Sequence, residues 1–131
     1  SPRAALQGVT RDTKKLTKAL IGEGGDAERA DAIALTEAGR KAYNAKNYTK
    51  AEKYFREAIS EDSGYAWAHT YLGHTAYQQG KAEEAKMHWN RAVDTDFNSD
   101  AAAKARKKLQ HLRRSKNRTV DELKDRLRNS L

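Results

Sequence analysis

Leu35-Thr36-Glu37-Ala38-Gly39-Arg40-Lys41-Ala42-Tyr43 is echoed 34 residues later by His69-Thr70-Tyr71-Leu72-Gly73-His74-Thr75-Ala76-Tyr77. The ungapped shift lays Gly39 on Gly73, Ala42 on Ala76 and Tyr43 on Tyr77. Further out it lays Ala51 on Ala85, Ala58 on Ala92 and Asp62 on Asp96. Residue type is kept where Phe55 meets Trp89 and Ile59 meets Val93. A fixed period of this length marks a stacked unit that does not bury its apolar face alone.

Each unit reads as two helices. In the first, Asp26 is an expected N-cap, helix A runs to about Ala45, and Asn47-Tyr48 makes the turn. Thr49-Lys50-Ala51-Glu52 has the form of a capping box and is expected to open helix B. Ala51, Tyr54, Phe55, Ala58 and Ile59 recur at offsets of three and four, which puts them on one face of that helix. Glu61-Asp62-Ser63-Gly64 separates the units. In the second, helix A covers about Tyr65 to Gln79, and Gly80 stands where a left-handed residue ends a helix. Helix B covers about Ala82 to Asp94, with Ala85, Trp89, Ala92 and Val93 facing inward.

The flanks differ from the repeats. Residues 1–25 form an N-terminal extension with a short helix, marked by Leu6, Val9, Leu16 and Leu20, and a Gly22/Gly24/Gly25 linker. Residues 26–99 hold the two units, at about 32–65 and 66–99. Residues 100–131 are basic capping helices: Ser99 or Asp100 caps the first, which ends near Arg114. A break at Ser115 to Arg118 follows, and Thr119-Val120-Asp121-Glu122 is expected to open a last helix as a second capping box.

The motif residues resemble the tetratricopeptide repeat family, whose 34-residue unit reads W-x2-L-G-x2-Y…A-x3-F…P. The first unit here has Leu35, Ala38, Gly39 and Ala42, then Ala51, Phe55 and Ala58; the second has His69, Leu72, Gly73 and Ala76, then Ala85, Trp89 and Ala92. Two departures stand out: Ser63 and Phe97 occupy the proline position, and the aromatic after the glycine is shifted by one, to Tyr43 and Tyr77. The resemblance implies an all-α chain: two stacked helix–turn–helix units of an α-solenoid, with flanking N-terminal and C-terminal capping helices. Two units are fewer than such stacks need alone, so Ala101, Ala102, Ala105, Leu109 and Leu112 are expected to cover the end of the second. Dimerisation is the alternative cover.

Family registry implies a concave wall made of the A helices. It would present Ile33, Thr36, Arg40, Tyr43 and Asn44, then Trp67, Thr70, His74, Tyr77 and Gln78, then Lys104, Lys108 and His111. Rings beside cationic heads suit a protein or peptide partner with acidic groups, because rings give rigid apolar area and the cations give charge-assisted hydrogen bonds. Tyr43 and Tyr77 serve equally well as packing residues of the helix pair. Family members that clamp chaperone C-terminal carboxylates use five polar positions, occupied here by Thr36, Arg40, Tyr71, Lys104 and Lys108. Of the family's clamp residues just the basic pair of the third helix survives, as Lys104 and Lys108, so a chaperone-tail clamp is not expected.

Charge gives a second reading. Of the net +8, residues 1–25 carry +3, residues 26–99 carry −2 and residues 100–131 carry +7. Lys104, Arg106, Lys107, Lys108, Arg113, Arg114, Lys116 and Arg118 run together with no acid among them. Such a run is either a solvated helix face or an electrostatic seat for nucleic acid or an anionic membrane surface. No aromatic follows Phe97, so this tail would not stack bases. Val120, Leu123, Leu127 and Leu131 form a stripe too short to stand alone, and a homodimer through it is one way to cover it.

Other chemistry finds little footing. With 37 % hydrophobic and 34 % charged residues, the chain suits a helical stack with wide wet faces better than a spherical core. There is no cysteine, which removes thiol catalysis and Cys-ligated zinc and fits a cytoplasmic setting. His69, His74, His88 and His111 include no i, i+4 pair, the spacing that puts two metal ligands on one helix face. No glycine-rich phosphate loop follows a strand. The expectation is therefore a non-enzymatic interaction module, an adaptor or scaffold, with no cofactor, metal or small-molecule substrate.

Overall fold

The computed structural model describes residues 26–130. The expected N-terminal helix, its glycine linker and Leu131 lie outside them. Five helices follow in order: α1 (Ala27–Asn44), α2 (Tyr48–Glu61), α3 (Ala66–Gln78), α4 (Ala82–Thr95) and α5 (Asp100–Ser130). Among the described residues there is no strand. Each helix packs on its sequence neighbour, and α3 also touches α1 and α5. This is an all-α stack of two helix pairs, with α1, α3 and the start of α5 in one layer and α2 and α4 in the other.

Close approach within each pair depends on the repeated glycines. A Cβ on Gly39 would overlap the Phe55 ring, lying 2.7 Å from Cδ1, and a Cβ on Gly73 would lie 2.5 Å from Cδ1 of Trp89. Phe55 and Trp89 are accordingly among the most deeply buried side chains. Alanines floor the rest. Phe55 packs with Ala42, Ala51 and Leu72. Leu35 packs with Ala32, Ala38, Ala58 and Ala68. Trp89 packs with Ala76, Ala85, Ala92 and Ala105, and Leu109 and Leu112 of α5 close over it. The first turns of α5 thus cover the end of the second unit, removing large apolar area from water.

The turns repeat as well. Gly80 is left-handed at φ 78°, and the Lys81 N–H reaches back to the Ala76 carbonyl at 2.9 Å. In the first unit Lys46 takes the same role at φ 62°, with Asn47 N–H bonded to the Ala42 carbonyl at 2.9 Å. Both are helix ends of the kind that prefers glycine.

Several expected boundaries need correction. Asp26 makes no side-chain cap; its own backbone is already near-helical (φ −86°, ψ −1°), which removes the extended geometry a cap requires. Asn47 rather than Thr49 caps α2, its Oδ1 accepting from Lys50 N–H at 3.2 Å. The left-handed Lys46 reverses the chain early, and Tyr48 then begins the helix with its ring 5.5 Å from that of Tyr43. Of the two residues expected to cap α5, Ser99 does so, accepting from Ala102 N–H at 3.0 Å. The break at Ser115 to Arg118 does not exist. Thr119 donates its hydroxyl to the Ser115 carbonyl at 3.0 Å, one turn back inside a continuous helix. That stretch holds neither proline nor glycine, and its lysine and arginine favour helix.

Candidate functional site

The layer of α1, α3 and α5 carries a cluster of rings centred on Tyr71. Trp67 lies one turn before it on α3, stacked at 5.5 Å, and His74 meets it edge-on at 5.4 Å. Phe55 stacks beneath at 5.7 Å. The Arg40 guanidinium lies 5.3 Å from the Tyr71 centroid, close enough for a cation–π contact. Tyr43 reaches His74 across the helix pair, with ring centroids 6.5 Å apart. Helical spacing builds this arrangement: residues 67, 71 and 74 share one face of α3, and 40 and 43 share one face of α1.

His74 is the buried centre of the site. Its Nδ1 accepts the Trp89 indole N–H at 3.1 Å, a donor that also reaches the Thr70 carbonyl at 3.1 Å. The missing side chain of Gly73 leaves room for that approach. His74 is 7 % exposed, and its Nε2 finds no hydrogen-bond partner among the described residues. Burial, then Lys108 and Lys104, push its pKa down to about 4, so the ring is neutral near pH 7.

The expected groove residues divide into three groups. Arg40, Tyr43, Trp67 and His74 come together around Tyr71; Tyr77 adjoins them through Trp89, at 5.9 Å. Lys104 and Lys108 are exposed on α5, and after burial their charges add to the lowering of the His74 pKa. Asn44 is exposed at the end of α1. Thr70 is not available to a ligand: it is fully buried and donates to the Ala101 carbonyl at 3.0 Å, tying α3 to α5. Thr36 is buried likewise and bonds back to the Ala32 carbonyl. Arg40 is partly satisfied by Glu37 at 2.8 Å, the contact that chiefly raises its pKa. Tyr43 is half-buried; burial raises its hydroxyl pKa, against a hydrogen bond with Gln78. Tyr71, the hub, was missed as a site residue, although its position four after Trp67 and three before His74 signals the shared face.

On α5, Arg113, Arg114, Lys116 and Arg118 are exposed, as is Lys107, and none pairs with a carboxylate among the described residues. Arg106 instead folds over the Phe97 ring at 4.7 Å and donates to the Phe97 carbonyl. Val120, Leu123 and Leu127 are also exposed, and no described element covers them. Among the described residues no cluster of three metal-ligating side chains occurs, and no helix is long and apolar enough to cross a membrane.

A family model described as tetratricopeptide repeat matches residues 42–109, just over half of the chain. No curated protein matches it.

Proposed function

We propose, from the premise that the chain belongs to the tetratricopeptide repeat family, that it is an adaptor or scaffold which captures a peptide or helix of a protein partner. The family is in general a protein-interaction module rather than a catalyst. The surface we assign to capture is the α1, α3 and α5 layer, with Arg40, Tyr43, Asn44, Trp67, Tyr71, His74, Tyr77, Lys104 and Lys108 as its working residues. The observation that carries this reading is the half-open ring cluster around Tyr71, flanked by cations and covered by no described element. Half-buried aromatic rings offer contact area at low entropic cost, and neighbouring Lys and Arg select acidic groups.

The test is capture of a partner by Trp67→Ala and Tyr77→Ala proteins that melt like the parent. The expected result is loss of a partner that persists at high salt. Unchanged capture by both variants would end the groove reading.

A second reading rests on a different observation, the run of exposed cations from Lys107 to Arg118 without paired carboxylates. It makes α5 an electrostatic seat for nucleic acid or an anionic membrane. Replacing Arg113, Arg114, Lys116 and Arg118 by Ala is expected to abolish salt-sensitive binding of either polyanion and to leave groove capture intact. Salt-sensitive binding that survives the replacement counts against this reading.

A further inference from the structure

We infer that the exposed half of α5 is a self-association surface, on which a second copy of this chain docks antiparallel through Val120, Leu123 and Leu127.

The first observation is that one face of α5 loses its cover partway along. In its first turns that face buries Ala101, Ala102 and Ala105 against α3 and α4, and Leu109 and Leu112 close over Trp89. At about 100° per residue, Val120, Leu123 and Leu127 continue the same face. Residues 115–130 are nevertheless all exposed, about 24 Å of helix at the α-helical rise. The three apolar side chains are 40 %, 51 % and 67 % exposed, so nothing in the described chain finishes the packing that α5 begins. Arg113 and Lys116 lie on the line between its two parts, with stems long enough to carry their charges aside. The bare stripe and the end of the repeat body form a corner. A helix fits into a corner, whereas a flat bilayer would meet the body first.

The second observation is the charge beside the stripe. Lys124 and Asp121 lie to one side of it, Arg126 and Glu122 to the other. None of the four forms an ion pair among the described residues. When two such helices run antiparallel with Leu123 near a twofold axis, like sides face each other. Val120 then packs on the partner's Leu127. Lys124 meets the partner's Asp121, and Arg126 meets the partner's Glu122, each pair made twice by symmetry. A parallel arrangement makes neither pair. It also drives both repeat bodies into one space, because each body occupies the face the helices would share. The antiparallel arrangement sets each body past the partner's Ser130 and closes at two copies. Lys104 and Lys108 lie on a different side of α5, so the ring-lined layer of each copy stays open.

The test is sedimentation equilibrium of the full chain, from about 10 µM to about 1 mM. Three apolar side chains per copy support a weak dimer, with a dissociation constant on the order of 10–100 µM. Leu123→Gln with Leu127→Gln is expected to stay monomeric where the parent is half dimer. It is expected to melt like the parent at dilution, where the exposed segment supports no packing. Lys124→Glu is expected to weaken association about tenfold, by losing one symmetric set of pairs and adding like-charge repulsion. Adding Asp121→Lys to it is expected to restore association, because the exchange rebuilds the pair across the axis. A parent that is monomeric at about 1 mM overturns the inference. So does a dimer unmoved by the leucine pair or by Lys124→Glu, or one that Asp121→Lys does not rescue. Phosphatidylserine vesicles and duplex DNA probe the other occupants. A monomeric parent that binds either one, and loses it in the leucine pair, assigns the stripe to that ligand and also overturns self-association.

Discussion

Lys46 and Gly80 hold the same left-handed position in successive units, at φ 62° and 78°. Each ends the first helix of its unit, and the residue after each bonds back to Ala42 or Ala76 at 2.9 Å. Glycine takes this conformation freely, whereas a lysine Cβ crowds its own carbonyl.

Lys46→Gly should therefore stabilise the protein. The strain relieved exceeds the backbone entropy lost, for a net gain of about 0.5–1 kcal/mol. Chemical denaturation should show a higher midpoint at unchanged slope. The reverse exchange, Gly80→Lys, should cost a similar amount.

Gly73→Ala should be among the most damaging single-carbon additions. The new Cβ would collide with a buried indole ring that has no room to retreat. Overpacking of this kind costs about 1–3 kcal/mol. Thermal melting should show the loss, and Gly39→Ala should behave alike through Phe55. Gly80→Ala meets no neighbouring atom, and its smaller cost should come from backbone strain alone.

Stability should fall as pH drops from about 6.5 toward about 4. Burial is the main cause that lowers His74 and His88 to about 4 in the folded protein, with Lys108 and Lys104 adding for the first and Arg56 and Arg91 for the second. Unfolded histidines keep the ordinary value of about 6.5, so between the two values the unfolded chain binds more protons. Above that window the contribution is complete and the curve is flat. Asp62 acts lower: burial opposes its ionisation, but Arg29 and the Gly64 N–H outweigh it and leave the pKa below the usual value. Its share is lost only below the ordinary carboxylate range. Melts across this window should follow that course, and His74→Gln with His88→Gln should flatten it. A parent protein with a level profile there would contradict the burial of both rings.

Ending the chain after Arg114 should leave folding stability nearly unchanged, since every described residue beyond it is exposed. Ending it before Ala101 should not, because Ala101, Ala102 and Ala105 are fully buried and Thr70 bonds to the Ala101 carbonyl. Circular dichroism melts of the two truncations compare these outcomes directly.

Thr70→Val should lose about 1 kcal/mol without altering surface charge, because it removes one buried hydrogen bond and keeps the side-chain shape. Because the hydroxyl ties α3 to α5 and does not face a ligand, affinity per folded molecule should be unchanged, as calorimetry would measure.

The sequence alone determined the period, and with it the helix pairs, their inward faces and the reason for Gly39 and Gly73. Those features depend on contacts that every unit repeats, so a self-comparison reveals them. Helical spacing put Arg40 with Tyr43 on one face of α1 and Trp67 with His74 on one face of α3, and the family registry implied that both faces line one wall. Caps were less legible. Asp26 and Thr49 are good capping residues by type, yet the turn at Lys46 and the backbone at Asp26 set where the helices begin. Nor did the sequence show that α5 runs unbroken, because Thr119 satisfies its hydroxyl equally well inside a helix as at its start. Tertiary structure alone decided which groove positions face a ligand. Thr70 and Thr36 are short and polar, and their burial depends on how closely α3 meets α5 and α1 packs within its layer. Likewise Trp89, 15 residues away, reaches under Gly73 to bond His74 Nδ1, and leaves Nε2 without a partner among the described residues. Periodicity is a local property that the repeats carry throughout, whereas the pairing of one buried ring belongs to a contact between distant residues.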